Sequence, residues 1–253
     1  MNLRQRQHLE KQYHESDDKA RDDNTLITRV YASGVFDEAE NYHLEALGDI
    51  RGLHVLDYGC GGGWSTAKLK TRGARVTGFD ISSTRLREAQ AHLAKLDGSP
   101  VTLLECEAES LPFADATFDV IFGKQILHHL ELEVAIAEIA RVLRPGGKAV
   151  FLEPLIHNPL LEGYRRLTPH LRSPTEKALS MRQLAEIGAH FKQWSHREFC
   201  LFSILPILLK ALILPKFEAE PLQAWLQKVD RQLVKAIPFL GRYYWETVIV
   251  LEK

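Results

Sequence analysis

The chain has 253 residues, 45% of them hydrophobic, and carries 32 Lys and Arg against 33 Asp and Glu, a formal net charge of −1. That length suits one sizeable core with insertions, and the balanced charge offers no general attraction to a phosphate backbone or an anionic bilayer, so nucleic acid is not an expected partner. Three cysteines, Cys60, Cys106 and Cys200, lie far apart without a C-x-x-C pair, which argues against a disulfide framework and a zinc site and for a reducing, cytoplasmic setting.

Residues 1 to about 50 are rich in charge, and the apolar spacing in Tyr42-His43-Leu44-Glu45-Ala46-Leu47 reads as a helix leading toward the first strand. This stretch is expected to form a helical cap or lid. Its opening, Met1 to His8, is polar, so no secretory signal is expected. From there strands at 55–57, 75–80, 101–106, 120–122 and 149–153 alternate with helices at 64–72, 84–96 and 132–143. Such alternation implies an α/β fold with a parallel sheet and helices on both faces. Ser82-Ser83 reads as a helix N-cap and Pro145-Gly146-Gly147 as a helix stop. The stretch 245–252 reads as a closing strand.

The first strand ends in Asp57 and runs into Gly59-Cys60-Gly61-Gly62-Gly63. Glycines at a strand-to-helix turn let the backbone approach a ligand beyond the carboxyl ends of the strands. A carboxylate at Asp57 would repel a pyrophosphate and welcome an ammonium group, and Trp64 stands where the dinucleotide fingerprint needs a small residue. A second acid, Asp80, follows about 20 residues on, the offset at which a carboxylate takes ribose hydroxyls. The expected ligand is therefore a cationic nucleoside without phosphates. A nicotinamide oxidoreductase would share only the sheet topology.

In these motifs the chain resembles the class I S-adenosylmethionine-dependent methyltransferases, in their small-molecule, type 11-like branch. Asp57, Gly59, Gly61 and Gly63 match the D-x-G-x-G-x-G loop, and Asp80 the second-strand acid. Further matches are Glu107-Ala108-Glu109-Ser110-Leu111-Pro112-Phe113, Phe118-Asp119-Val120-Ile121, Leu127-His128-His129-Leu130 and Arg141-Val142-Leu143-Arg144-Pro145-Gly146-Gly147. Together they span roughly residues 53–154, with Glu107 standing where aspartate is commoner. The resemblance implies a Rossmann-like seven-stranded sheet, mostly parallel with an antiparallel last strand. It implies S-adenosyl-L-methionine as cofactor and S-adenosyl-L-homocysteine as product. Cofactor contacts are then expected from Asp57, Gly59, Cys60, Gly61 and Gly63, from Asp80 and Ile81, from Glu107, Ala108 and Glu109, and from Lys124 and Gln125. Residues 51–253 would form the methyltransferase domain, with insertions at about 154–195 and 203–244 serving acceptor recognition.

Transfer from a sulfonium is a direct displacement, so the protein mainly aligns the acceptor and excludes water. An oxygen or activated-carbon acceptor must usually lose a proton, which a histidine can take. His129, after the fourth strand, and His14, in the N-terminal lid, are the candidate catalytic residues. Tyr13, His128, His157, Tyr164 and Arg165 are candidate acceptor contacts. No metal is expected, because the adjacent pair His128 and His129 lacks the separation at which two side chains converge on one ion. The apolar run 199–214 is too short to span a bilayer. It reads as a strand at 198–202 followed by a buried helix of the core or lid, or as an element touching a bilayer. Either favours a small apolar acceptor, such as an isoprenoid, quinone, polyketide or lipid precursor. The competing expectation is an inactive S-adenosylmethionine-binding partner or regulatory module.

Overall fold

The computed structural model describes residues 1–16, 30, 33–97, 100–167, 173, 175–214 and 216–253. Strands β1 (His54–Tyr58), β2 (Arg75–Asp80) and β4 (Phe118–Lys124) are almost entirely buried, as expected of strands covered by helices on both faces. With β3 (Thr102–Glu105), β5 (Leu143–Pro154), β6 (Gln193–Phe199) and β7 (Glu246–Glu252) they form one sheet in the order β3-β2-β1-β4-β5-β7-β6. The first five strands pair in parallel. The last, β7, lies antiparallel between β5 and β6, with Val150 and Ser195 both opposite Val250.

Side chains alternate across each strand, so the sheet sorts its apolar residues into two cores. Val55, Val120, Val150 and Val248 face one layer, which includes helix α2 (Asp37–Glu45) and helix α3 (Trp64–Thr71). Leu56, Ile121, Phe151 and Ile249 face the other, with helices α5 (Leu132–Val142) and α7 (Met181–Gly188). Helix α1 (Leu3–Ser16) lies nearer α4 (Ser83–Leu93) and the carboxyl ends of the strands. The chain order reverses between β1 and β4, and the crevice beyond their carboxyl ends is where an open α/β sheet takes a ligand.

Local chemistry sets the helix ends. Ser82 caps α4 by accepting the Arg85 backbone N–H, and Ser180 forms a capping box with Gln183 on α7. Helix α5 ends at Val142, one residue before the expected limit, because Leu143 is already extended and pairs with Phe118.

The expected strand at 198–202 is displaced. Strand β6 begins at Gln193 and ends at Phe199, and Cys200 turns the chain out with φ 65°. Its first four residues are exposed on the sheet edge, so burial periodicity does not mark it. The apolar run then divides. Ile204 and Ile207, flanking the start of α8 (Leu205–Leu212), join the core, whereas Phe202, Leu205, Ile213 and Leu214 are exposed. The buried Asp230 carboxylate, on α9 (Glu220–Ala236), accepts the backbone N–H groups of Leu201, Phe202 and Ser203 at 3.0 Å. Among the described residues no helix is long and apolar enough to cross a membrane.

Candidate active site

The glycine loop after β1 takes conformations that favour glycine: Gly59, Gly61 and Gly63 have φ of 74°, 49° and 80°. A Cβ on Gly59 would stand 2.8 Å from the Ile126 side chain, and one on Gly63 would stand 3.0 Å from Ala89. A Cβ on Gly61 would meet nothing within 4 Å, so that residue opens onto free space. Across it, Asp80 accepts the Gly61 N–H through Oδ2 and the Ser82 N–H through Oδ1, both at 2.9 Å.

These residues border a cavity of about 550 Å³. Gly59, Gly61, Asp80, Ile81, Ala108 and Glu109 line it, as do Lys124 and Gln125. The remaining expected cofactor residues do not. Asp57 is buried behind the loop, where it accepts the Thr66 hydroxyl at 2.5 Å, and burial pushes its carboxyl up to about 7. It braces the start of α3. Cys60 packs inward close to Gly78, its thiol raised by burial, and Gly63 is consumed by the N-cap of α3. Glu107 is exposed, because the turn after β3 instead buries Ala108 and Glu109.

Lys124 donates to Glu40 of α2 at 2.6 Å. Gln125 has φ 57° and donates to Glu246 at 2.9 Å; burial pushes that carboxyl up to about 8.

The turn Leu127–His129 is organised by Glu153 at the end of β5. One carboxylate oxygen accepts the Ile126 and Leu127 N–H groups at 2.9 and 2.8 Å, and the other lies 2.6 Å from His128 Nδ1. Burial, then the neighbouring His129, lowers the pKa of His128. His128 thus lines the cavity from a fixed, structural position.

Helix α1 closes the other side. Gln7 donates to Glu109 at 3.2 Å, and Arg6 donates to the His129 carbonyl at 3.0 Å. Spacings of three and four place Gln7, Glu10 and His14 on one helix face, and this face, polar as it is, turns inward. Glu10 accepts the Ser173 hydroxyl at 2.5 Å and also that of Thr175. Its Oε2 lies 3.3 Å from His129 Nδ1 and 3.6 Å from His14 Nε2. Burial opposes the charged form of His129, but Glu10 outweighs it and the ring's pKa is raised; burial and His129 lower that of His14.

The two expected catalytic histidines therefore meet, with ring centroids 5.5 Å apart. Tyr13 and Arg165 also line the cavity. His157 does not, being exposed on the turn before α6 (Pro159–Leu167), and Tyr164 lies outside the described side chains. Sequence reasoning missed Arg6, Gln7, Glu10, Glu153 and Trp245. The 7, 10, 14 spacing was the available signal for the lid face, but in a charged helix it resembles a solvated surface.

A family model described as a methyltransferase domain matches residues 56–151, the stretch that holds the loop, Asp80 and the turn after β4. Over these residues the chain matches the methyltransferase domain family. An O-methyltransferase of Penicillium expansum is 36% identical over 129 residues, 48% of this chain and 47% of that protein. A ubiquinone biosynthesis O-methyltransferase of Rhizobium rhizogenes is 37% identical over 99 residues, 39% of this chain and 40% of that protein. The chain thus matches less than half the length of these relatives. A solved geranyl diphosphate methyltransferase, in complex with GPP and sinefungin, shares the fold at a TM-score of 0.64 and 18% identity, over 89% of this chain and 82% of that one. The methyltransferase cofactor suits this cavity: Asp80 offers carboxylate oxygens beside the open face of Gly61, and buried Ala108 and Glu109 close the adjoining wall.

Proposed function

We propose that the chain transfers the methyl group of S-adenosylmethionine to an oxygen of a small acceptor with an apolar body. Glu10, His14 and His129 meet in the same cavity as Asp80 and Gly61, and this juxtaposition carries the assignment. The cofactor supplies an activated methyl group. Asp80 would hold its ribose hydroxyls, Gly61 would let the backbone approach it, and the lid helix would exclude water. The cluster on the lid and the turn after β4 would receive the acceptor's hydroxyl and take up its proton.

An apolar body is supported by Tyr13, Ile126, Leu130, Leu161 and Trp245 in the cavity lining, and by the relative named for ubiquinone biosynthesis. The run 199–214 no longer supports it as a lid, since none of its described residues lines the cavity. Its exposed Phe202, Leu205, Ile213 and Leu214, with Trp225 and Phe239 nearby in sequence, instead suit peripheral contact with a bilayer that holds such an acceptor. In this scheme residues 1–50 act as cap and lid on the domain 51–253. The insertion at 154–195 supplies Leu161, Arg165 and Glu176 to the acceptor side.

The test is incubation with methyl-labelled S-adenosylmethionine and a cell extract, followed by partition between organic and aqueous phases. Label in the organic phase, lost in Asp80→Ala and released as methanol by base from an ester or as methyl iodide by hydriodic acid from an ether, is the expected result. Label confined to the aqueous phase would retire the apolar acceptor, and no label at all would favour a cofactor-binding module without turnover.

A further inference from the structure

We propose that Glu10, His14 and His129 form a binding site for one divalent transition-metal ion, with Zn²⁺ the ion of best fit. Each offers a ligand atom, and these atoms lie within 4.8 Å of one another. Glu10 is only 5% exposed. Its Oε1 takes the hydroxyls of Ser173 and Thr175, whereas Oε2 and His129 Nδ1 are both buried without a hydrogen bond.

Buried carboxylate and imidazole atoms are rarely left so. Oε2 nevertheless faces Nδ1 of His129 at 3.3 Å and Nε2 of His14 at 3.6 Å. Those separations give ion pairs of poor hydrogen-bond geometry, and they also suit neighbouring ligands of one ion. Bonds of about 2.0–2.1 Å in tetrahedral geometry place ligand atoms about 3.3–3.4 Å apart.

The donor set selects the ion. Two imidazoles and one carboxylate suit zinc or a first-row neighbour, whereas magnesium and calcium want oxygen. Three protein ligands leave a fourth position, and here it opens onto the cavity that all three residues line. The hydroxyls of Ser173 and Thr175 on Oε1 are the kind of supporting contact that orients a ligating carboxylate. A second trio, His128, His129 and Glu176, is equally close, but His128 Nδ1 is already engaged by Glu153 at 2.6 Å. The adjacent histidines do not converge by themselves; the lid helix brings the other two ligands. An ion here would tie α1 to the turn after β4, coupling lid closure to metal binding. This holds whatever the acceptor is, but a bound ion would replace the proton uptake assigned above to this cluster, because the same lone pairs cannot hold both.

The full chain, stripped with a chelator, should be titrated with ZnCl₂ by calorimetry and with CoCl₂ by visible absorption, without acceptor. Expected are one ion per chain, the absorption bands of tetrahedral Co²⁺, and zinc-induced hydrogen-exchange protection over residues 3–16 and 127–129. His14→Ala and Glu10→Gln should each weaken zinc binding by at least about tenfold while the circular dichroism spectrum stays unchanged. The chain has 11 histidines, so zinc bound equally by wild type and both variants would assign it to the surface and overturn the site. Absence of binding, or of protection in the wild type, would overturn it even if a variant failed to fold. Methyl transfer by a protein that binds no ion would sink the metal site and leave the methyltransferase reading standing.

Discussion

Asp80 accepts the backbone N–H of Gly61 at 2.9 Å, so the end of β2 and the glycine loop after β1 move as one unit. The same carboxylate holds the Ser82 N–H at the start of α4. Asp80→Ala should therefore loosen the loop as well as remove the carboxylate proposed to hold the ribose. A charged hydrogen bond is worth about 1.5–3 kcal/mol, so S-adenosylhomocysteine affinity measured by calorimetry should fall about 10–100-fold. An affinity within twofold of wild type would mean that the nucleoside binds elsewhere.

Two glycines of the same loop should behave differently on substitution. Gly63→Ala forces φ 80° on a residue with a Cβ and pushes that Cβ to 3.0 Å from Ala89; urea unfolding should show a loss of about 1–3 kcal/mol. Gly61→Ala has room around its Cβ but intrudes on the ligand's space. It should lose more cofactor affinity than Gly63→Ala and less stability. The reverse order would contradict the placement of Gly61 at the open face.

The lid helix is held to the body by Gln7 on Glu109 and Arg6 on the His129 carbonyl. Each such bond contributes about 0.5–1.5 kcal/mol net. Gln7→Ala should speed hydrogen exchange across residues 3–16 and raise KM for S-adenosylmethionine several-fold, while exchange in β1 and β4 stays slow. Uniform acceleration throughout the sheet would show that α1 is part of the global core instead.

His43 supplies a pH prediction. Its ring stacks on Phe122 with centroids 3.9 Å apart and donates through Nε2 to the Val150 carbonyl at 3.2 Å, and burial pushes its pKa down to about 3 from 6.5. The unfolded chain therefore binds a proton between pH 6.5 and 3 that the folded chain refuses. The stability linked to a neutral His43 is present above pH 6.5 and is lost as pH falls toward 3, by up to about 1.4 kcal/mol per pH unit. Asp57 and Glu246, raised to about 7 and 8, act oppositely. Their contribution is greatest in acid and is lost as pH rises through those values. The difference between wild type and His43→Leu isolates the histidine. Chemical unfolding at pH 7, 5.5 and 4.5 should show the wild type losing its advantage stepwise, and parallel pH profiles would refute the assignment.

Much of the fold was legible because its signals are local. Val55–Asp57, Arg75–Asp80 and Ala149–Glu153 are apolar runs bounded by turn residues, and a strand buried on both faces needs nothing else. Strand β6 was misplaced because Gln193, Trp194, Ser195 and His196 sit on an exposed edge, where pairing with β7 rather than burial makes the strand. A strand-end acid such as Asp57 looks the same in sequence whether its side chain turns out to the crevice or back toward Thr66, whose hydroxyl it accepts.

By itself, then, the sequence determined the layered sheet, the glycine loop, Asp80 and the class of cofactor, since each rests on short-range backbone geometry and on the identity of a few residues close in the chain. Only the tertiary structure decided that Glu10 and His14, 115 or more positions before His129 in the chain, share its cavity, and that the described residues of the apolar run 199–214 stay out of it. Those relations depend on how a polar helix docks across the ends of the strands, through contacts between residues that no periodicity links.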